Sequence, residues 1–511
     1  MPRVPRYLAA VLALLLLLVP SHAAEAQKKR PSRKVTVKKA PAKKAAAPAR
    51  PTATGTTLEQ RVQSLFDSSI ARSSEASLLV AEVESGRVVA AHNPDMPVAP
   101  ASNMKLFTTG AAMRLLGPDF QFRTTVAIRG SVDPIGALHG DVLVTGRGDP
   151  TIGSRFHDGD STAVFREWAR DLNKAGVKTV GGNLIFNHGY FDDQWVHPTW
   201  PADQLVNWYE APVSALAIQE GCVMVRILPG RSGGRGIVQF EPPNSILTLE
   251  NTIMTGGGRG PFVTRRNGTN TIIVKGNVRP KDGPTEIFVT VLYPVNYFAN
   301  AAHMALQSEG INVQGQVLLT RGDMGGEWRT VSEMTTPLSL VNNVINKKSQ
   351  NFYAEQLIKT IGAERKGLGS WENGSKAITE WLVAEVGVDA NEYQQIDGSG
   401  MSRFNRASSD AFVKLLRYMW KTPGRGEFVA SMPYSGEDDS RLRRRLNKPP
   451  YARNVYAKTG YISGVIGLSG YVHGRSGKVY AFSFLFNRYR TGVWGVYGLQ
   501  DEILKEIIDK G

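Results

Sequence analysis

Cysteine is all but missing from the 511 residues: Cys222 stands alone, so no intrachain disulfide can form and the thiol is expected to be free and buried. Long apolar runs are scarce as well. The longest, Leu8 to Val19, falls short of the roughly 20 residues that cross a bilayer. Preceded by Arg3 and Arg6 and followed by small residues at Ala24 and Ala26, it reads as a signal peptide over 1–26 and predicts an exported, periplasmic or otherwise extracytoplasmic chain. Acidic residues are absent from Lys28 to Arg50, where ten Lys or Arg alternate with Pro and Ala. Such a stretch cannot build a core, and 27–57 is expected to be a solvated tether suited to an anionic membrane or wall polymer. The formal charge of +16 is therefore misleading, because the first 50 residues account for all but +5 of it. With an extracytoplasmic address, that mild charge argues against nucleic acid as a partner. Internal repeats are lacking, and the His188, Asp192, Asp193 and His197 group has no tight metal-ligand spacing. The Gly256 to Gly260 run lacks the strand-to-helix setting of a nucleotide loop.

What is present is a globular chain, 42% hydrophobic and 21% charged, long enough for two or three compact units. A helical pattern from Leu58 to Leu78 leads into two strands turning at Ser85-Gly86, followed by an apolar helix headed by Ser102. Strands, turns and Gly-rich loops then dominate to about Gly325, interrupted by an amphipathic helix at Phe298 to Gly310. Helices resume at "NFYAEQLIKTIG", "GSKAITEWLVAEVG" and "SSDAFVKLLRYMW". The chain closes with alternating runs at "NVYAKTGYISGVIGLSGYVH" and "VYAFSFLFN" and a final helix. Helix and strand at both ends of a β-rich middle predict one discontinuous α/β domain with an insertion.

Three short motifs carry chemistry. Ser102 and Lys105 lie one helical turn apart, so a hydroxyl and an amine can touch, and burial of the amine among Met104, Leu106 and Phe107 lowers its proton affinity enough to make it a base. Ser349-Gln350-Asn351 offers a hydroxyl and an amide just before a helix. Lys458-Thr459-Gly460 sits in an alternating run, with Lys and Thr on opposite faces and Gly460 leaving space for a ligand against the backbone. Together they supply a nucleophile with its base, a proton relay and a carboxylate clamp, which is an acyl-transfer site.

The order Ser-x-x-Lys, Ser-x-Asn, Lys-Thr-Gly resembles that of the penicillin-recognising serine enzymes. The 247 residues between Ser102 and Ser349, with "TGRGDPTI", "NWYEAPVSAL", "SQNFYAEQLIKTIG" and "IDGSGMSRFN", are similar to the low-molecular-mass class C penicillin-binding proteins, the D-alanyl-D-alanine carboxypeptidase and endopeptidase family also called DacB. The resemblance runs from about Leu58 to the C-terminus. It implies an α/β (α+β), β-lactamase/transpeptidase-like three-layer fold, an antiparallel sheet between helices, over 58–122 and 330–511. An inserted domain is expected over 123–217 and 293–329, with a β-rich one at 218–292. It also implies peptidoglycan stem peptides and β-lactams as partners and no cofactor or metal.

Residue by residue, the family implies Ser102 as nucleophile, Lys105 as general base and Ser349 as proton shuttle. Asn351 would hold the substrate backbone, and Lys458 and Thr459 its terminal carboxylate. Main-chain N–H groups of Ser102 and Tyr461 would form the oxyanion hole, and Gly460 and Tyr461 line the substrate strand. Arg403, on a Gly-rich loop with Asp397, is expected near a substrate carboxylate, and Asp203 near the free amine of a diaminopimelate side chain. Two other functions fit parts of this pattern: a serine β-lactamase with fast deacylation, and a non-catalytic wall-binding scaffold.

Overall fold

The computed structural model describes residues 57–511, so the expected leader and all of the basic tether but Thr57 lie outside the described residues. Thr57 caps the first helix, α1 (Leu58–Phe66): its side chain accepts from the Gln60 amide, and the Gln60 side chain accepts from the Thr57 amide. Leu58, Val62 and Phe66, four residues apart, form its buried stripe. The helical pattern expected through Leu78 stops much earlier. Ser68 caps a single turn, Ser69–Arg72, and the hydroxyls of Ser73 and Ser74 donate to the Ile70 carbonyl, drawing the backbone out of helix. From Glu75 the chain is extended, and its continuous apolar run is that of a strand covered on both faces.

That strand, β1 (Glu75–Glu82), joins β2 (Val88–His92), β3 (Val455–Ile462), β4 (Val465–His473) and β5 (Val479–Asn487) in an antiparallel sheet of order β2-β1-β5-β4-β3. Alternation sorts its side chains into two cores. Leu78, Val80, Phe482, Phe484 and Phe486 face α1 and the terminal helix. Leu79, Ala81, Tyr471, Ala481 and Leu485 face the opposite layer, which holds α2 (Lys105–Leu115), α3 (Asn351–Lys366) and α4 (Ser409–Lys421). The terminal helix is α5 (Val493–Lys510), whose Val496, Leu499, Ile503 and Ile507 lie on the first face. Each such side chain contributes about 2 kcal/mol by leaving water, so the sheet is fixed in register from both sides. The result is the three-layer α/β arrangement expected.

The insertion leaves and re-enters through paired strands, Gln121–Val132 against Arg329–Pro337, in a seven-stranded sheet. The returning strand thus belongs to the inserted sheet up to Pro337, seven residues past the break expected at 330. Helices Ala163–Lys174 and Pro294–Ser308 cover this sheet, with Phe165 packed edge to face on Phe298 and Trp168 tilted against both. Two three-stranded sheets occupy the stretch from Cys222 to Thr290. Their Val223, Val225, Ile227 and Ile272 share one apolar cluster with Phe165 and Phe298, so these sheets and the seven-stranded sheet rest on a common core. Cys222 is free and buried, as expected. Among the described residues no helix is long and apolar enough to cross a membrane.

The sheet reaches the nucleophile motif through two glycines. Gly460 on β3 pairs with Gly467 on β4, and a Cβ on either would lie 2.4 or 2.1 Å from the Asn103 amide nitrogen. The place a side chain would take at Gly460 is therefore filled by the chain itself, by Asn103 and the Pro100 carbonyl. Replacing Gly460 by alanine must displace the Asn103 turn; we expect a loss of ~1–3 kcal/mol of stability, the usual cost of overpacking, and acylation slowed more than tenfold, read by thermal melting and by penicillin labelling.

Candidate active site

Ser102 does not sit on the helix proper but on a 3₁₀ turn, Ala101–Met104, that runs into α2 at Lys105. The turn is tightly held. Ala101 adopts a left-handed backbone (φ 49°), a conformation that costs a non-glycine residue about 1 kcal/mol or more. Gly400 presses on its carbonyl so closely that a Cβ there would lie 1.9 Å from it. Squeezed between Gly400 and the Gly460/Gly467 slot, the turn presents a half-buried Ser102 to the cleft.

Lys105 is fully buried and its amine has three acceptors: Ser102 Oγ at 3.2 Å, Asn351 Oδ1 at 2.7 Å and the Ser399 carbonyl at 2.7 Å. Burial pulls the amine down from its ordinary range to about 7, opposed by the negative charges of Glu355 and Asp397. Near neutrality the amine can therefore give up a proton and take one back. On the other side of the cleft Lys458, also fully buried, donates to Ser349 Oγ at 2.8 Å and to its neighbour's carbonyl, Thr459 O, at 2.9 Å. Burial, then the charges of Lys105 and Arg441, pull it well below the ordinary lysine range. Ser349 itself closes helix Leu338–Lys348 in a left-handed conformation (φ 56°), which turns the chain into α3. The three motifs meet here as two lysine-hydroxyl pairs, Lys105-Ser102 and Lys458-Ser349.

Asn351 is the first residue of α3, and its amide is spoken for at both ends: Oδ1 accepts from Lys105 and Nδ2 donates to the Tyr209 carbonyl at 2.9 Å. In the described conformation it orients the lysine, a task additional to the substrate contact the family implies. Thr459 is half-buried, and Tyr461 is exposed beyond Gly460 at the end of β3. Arg403 is bonded not to the motifs but to the Ser463 carbonyl at 3.1 Å, tying the Gly-rich loop to the turn after β3. Its partner Asp397 is wholly occupied, accepting from Gly400 N, Ser402 N, Asn405 Nδ2 and Trp200 Nε1, and so holds the loop together. Asp203 is exposed on a turn of the insertion, close enough for its charge to act on Glu210 and Tyr209.

Several residues that shape the site were not singled out from the sequence. Glu210 is buried with both carboxylate oxygens unpaired, and burial together with Asp203 pushes it up to about 7. Gln350, the middle residue of the second motif, donates to Glu220, which also pairs with Arg155. Glu355, in the next turn of α3 after Asn351, accepts from Gly398 N, Ser399 N and Trp371 Nε1. Farther along α3, Lys359 is buried against Asp192 at 2.6 Å and over the Trp371 ring. The signal for the last two lay in the helix period: Asn351, Glu355 and Lys359 recur every four residues on an otherwise apolar helix. Asp192, one of the set-aside metal-like residues, is thereby committed to Lys359, while His197 Nδ1 meets the Thr199 hydroxyl at 2.8 Å.

A titratable base at about 7 sets the pH response. Were the free Lys105 amine the acceptor of the Ser102 proton, the acylation rate would fall as the medium is made more acidic than neutral, approaching a tenfold loss per unit, and level off above about 8. Stopped-flow reaction with a chromogenic β-lactam from pH 5 to 9 checks this.

Comparison with known proteins agrees with this geometry. Residues 58–493 match the model of the D-Ala-D-Ala carboxypeptidase 3 (S13) family. The chain is 31% identical over 450 residues to a D-alanyl-D-alanine carboxypeptidase of Actinomadura sp. (strain R39), covering 84% of this chain and 81% of that one. It is 25% identical over 428 residues to D-alanyl-D-alanine carboxypeptidase DacB of Haemophilus influenzae, 82% of this chain and 86% of the relative. In fold it resembles the crystal structure of penicillin binding protein 4 (dacB) from Haemophilus influenzae, with a TM-score of 0.73 and 24% identity over 86% of this chain and 97% of that one. A predatory endopeptidase from Bdellovibrio bacteriovorus shares the fold at a TM-score of 0.52 and 15% identity, over 85% of this chain and 93% of that one. A family match over most of its length, with a relative above 30% identity, establishes that the chain belongs to the D-Ala-D-Ala carboxypeptidase 3 (S13) family, as a serine-type carboxypeptidase.

Proposed function

We propose that the protein hydrolyses peptidoglycan stem peptides ending in D-alanyl-D-alanine, and cross-links made through D-alanine, by way of an acyl-enzyme on Ser102. The observation that carries this reading is the fully buried Lys105 amine, 3.2 Å from Ser102 Oγ and near neutrality in its proton affinity. Ser102 Oγ attacks the carbonyl of the penultimate residue and its proton passes to Lys105. Negative charge on the carbonyl oxygen is met by the main-chain N–H groups of Ser102 and Tyr461. The C–N bond then breaks: Ser349, hydrogen-bonded to Lys458, delivers its proton to the departing amine and is reprotonated from the Lys105 ammonium, which leaves the Lys105 amine free again. Water attacks the ester with Lys105 again as base, restoring the hydroxyl and releasing the shortened peptide.

Substrate recognition follows from what surrounds the motifs. The terminal carboxylate meets the Thr459 hydroxyl and, at the mouth, the Arg403 cation fastened beside the end of β3, and its negative charge favours the protonated form of the buried Lys458 amine behind them. Asp203, with buried Glu210 behind it, offers negative charge on the insertion side, suited to the free amine of a diamino acid in the stem peptide. A β-lactam presents a strained amide where the peptide bond would lie; ring opening breaks its C–N bond but leaves the amine tethered to the adduct, which therefore persists longer. The exported location fits a wall substrate, and the basic segment ahead of Thr57 fits an anionic surface at that address. The inserted residues are read as two units, 123–217 with 293–329 and 218–292, and the helix-bound stretch from His188 to Gln219 brings them to the cleft.

Brief exposure to benzylpenicillin should add one penicilloyl mass, located by peptide mapping to Ser102 and lost in Ser102→Ala. A synthetic peptide ending in D-alanyl-D-alanine should release D-alanine at a rate at least ~10³-fold above that of the variant, the scale expected for loss of a nucleophile. Many-cycle consumption of the penicillin would point to a β-lactamase instead, and neither adduct nor D-alanine from folded protein would refute the reading.

A further inference from the structure

The buried acid Glu355 takes no part in the steps above, yet the structure links it closely to the base. Its carboxylate collects three N–H donors: Gly398 N at 2.9 Å and Trp371 Nε1 at 2.7 Å on Oε2, and Ser399 N at 2.8 Å on Oε1. The two main-chain donors belong to the segment that faces α2 with its carbonyls. Gly398 O accepts from the Thr108 hydroxyl at 2.8 Å, and Ser399 O accepts from the Lys105 amine at 2.7 Å. Two successive peptide units are thus held in the same way, with a carboxylate on the N–H side and a donor of α2 on the C=O side. Glu355 serves the unit between 398 and 399, and Asp397, through Gly400 N at 2.8 Å, serves the unit between 399 and 400. An anion on the N–H side of a peptide polarises its carbonyl and strengthens it as an acceptor.

We propose that Glu355 is a positioning residue and counter-charge for Lys105: it clamps the Gly398–Ser399 backbone so that the Ser399 carbonyl aims the amine at Ser102, and its negative charge stabilises the ammonium that forms when Ser102 gives up its proton. The inference rests on the acylation of Ser102 proposed above. The charged groups facing Glu355 are Lys105 from α2, Asp397 from the loop and Lys359 from its own helix; behind them stand Asp192 and Asp193 against Lys359, and His197 near Asp397. Burial first, and then the like charge of Asp397, push Glu355 up to about 7, while its N–H donors oppose the shift. Acid and amine therefore change protonation over the same range. A buried carboxylate at that balance contributes little to fold stability, but it can favour the protonated lysine at the moment of reaction.

The test compares wild type, Glu355→Gln and Trp371→Phe by the pH dependence of penicillin acylation, each rate taken per site that forms the Ser102 adduct. Glu355→Gln removes the charge at nearly constant size, so the acidic limb should move to lower pH by about one unit, the shift expected when an opposite charge is lost. Its plateau rate should fall by about tenfold, because the new ammonium has lost its counter-charge. Trp371→Phe removes one donor to the carboxylate, raising its proton affinity and thinning its charge, so the limb should move the same way by less; it carries the test where Glu355→Gln fails to fold. Glu355→Asp, which keeps the charge and shortens the reach, should lower the plateau with the limb in place. A merely structural role would lower every plateau and leave every limb at the wild-type position, and that outcome overturns the inference. An adduct that forms on the wild type with unmoved limbs in the variants sinks this inference alone; no adduct on the wild type sinks the acylation reading and this inference with it.

Discussion

Confinement of the Lys105 amine in a dry, hydrogen-bonded space is the constraint on which the rest of this structure depends. An ammonium stripped of water costs several kcal/mol unless other groups replace the solvent. Here a hydroxyl, a side-chain amide and a main-chain carbonyl do so, while two buried carboxylates stand behind them. The balance leaves the amine close to neutrality, basic enough to take a proton from Ser102 and acidic enough to return it. Every element that touches the amine must then be rigid, since movement by an ångström would admit water and restore an ordinary lysine.

That demand explains features that look unrelated. Gly460 and Gly467 lie opposite each other because Asn103, next to Ser102, packs into the sheet. Gly400 has no side chain because the Ala101 carbonyl occupies the place where one would go. The insertion is part of the same scaffold. Its segment from His188 to Gln219 lies along α3, where Tyr209 O holds Asn351, Ser214 O holds Gln356, and Asp192 neutralises Lys359. A segment that lies within the 247 residues separating Ser102 from Ser349 thus helps to orient residues of the site.

The parts of this design that repeat locally were legible in the sequence. Alternating apolar runs at both ends gave the central sheet, and the three-residue spacing of the first motif gave the Lys105-Ser102 pair, whereas the Lys458-Ser349 pair joins residues 109 apart and did not follow from either motif. Contacts between residues far apart were not legible. Lys105 meets Asn351 across 246 residues and Ser399 across 294, and nothing in either neighbourhood announces the other. That Gly460 must lack a side chain because Asn103 packs against it is likewise not announced by the sequence. The helix expected to reach Leu78 failed for a local reason: three serines compete for the backbone, while the apolar residues after Ala76 satisfy a strand buried on both faces equally well. Glu355 could have been found, since it repeats at helical spacing between Asn351 and Lys359, but that its carboxylate reaches the Gly398–Ser399 backbone is a fact of tertiary structure alone.

The central claim is that burial, rather than a dedicated acid-base partner, makes Lys105 a base near neutral pH. Its most direct test is an NMR titration of the lysine side-chain nitrogens in 15N-lysine-labelled protein, with Lys105 assigned by difference from Lys105→Met. The account predicts a resonance that titrates close to pH 7 in the free enzyme. A Lys105 midpoint near the ordinary lysine value of about 10.4 would contradict it.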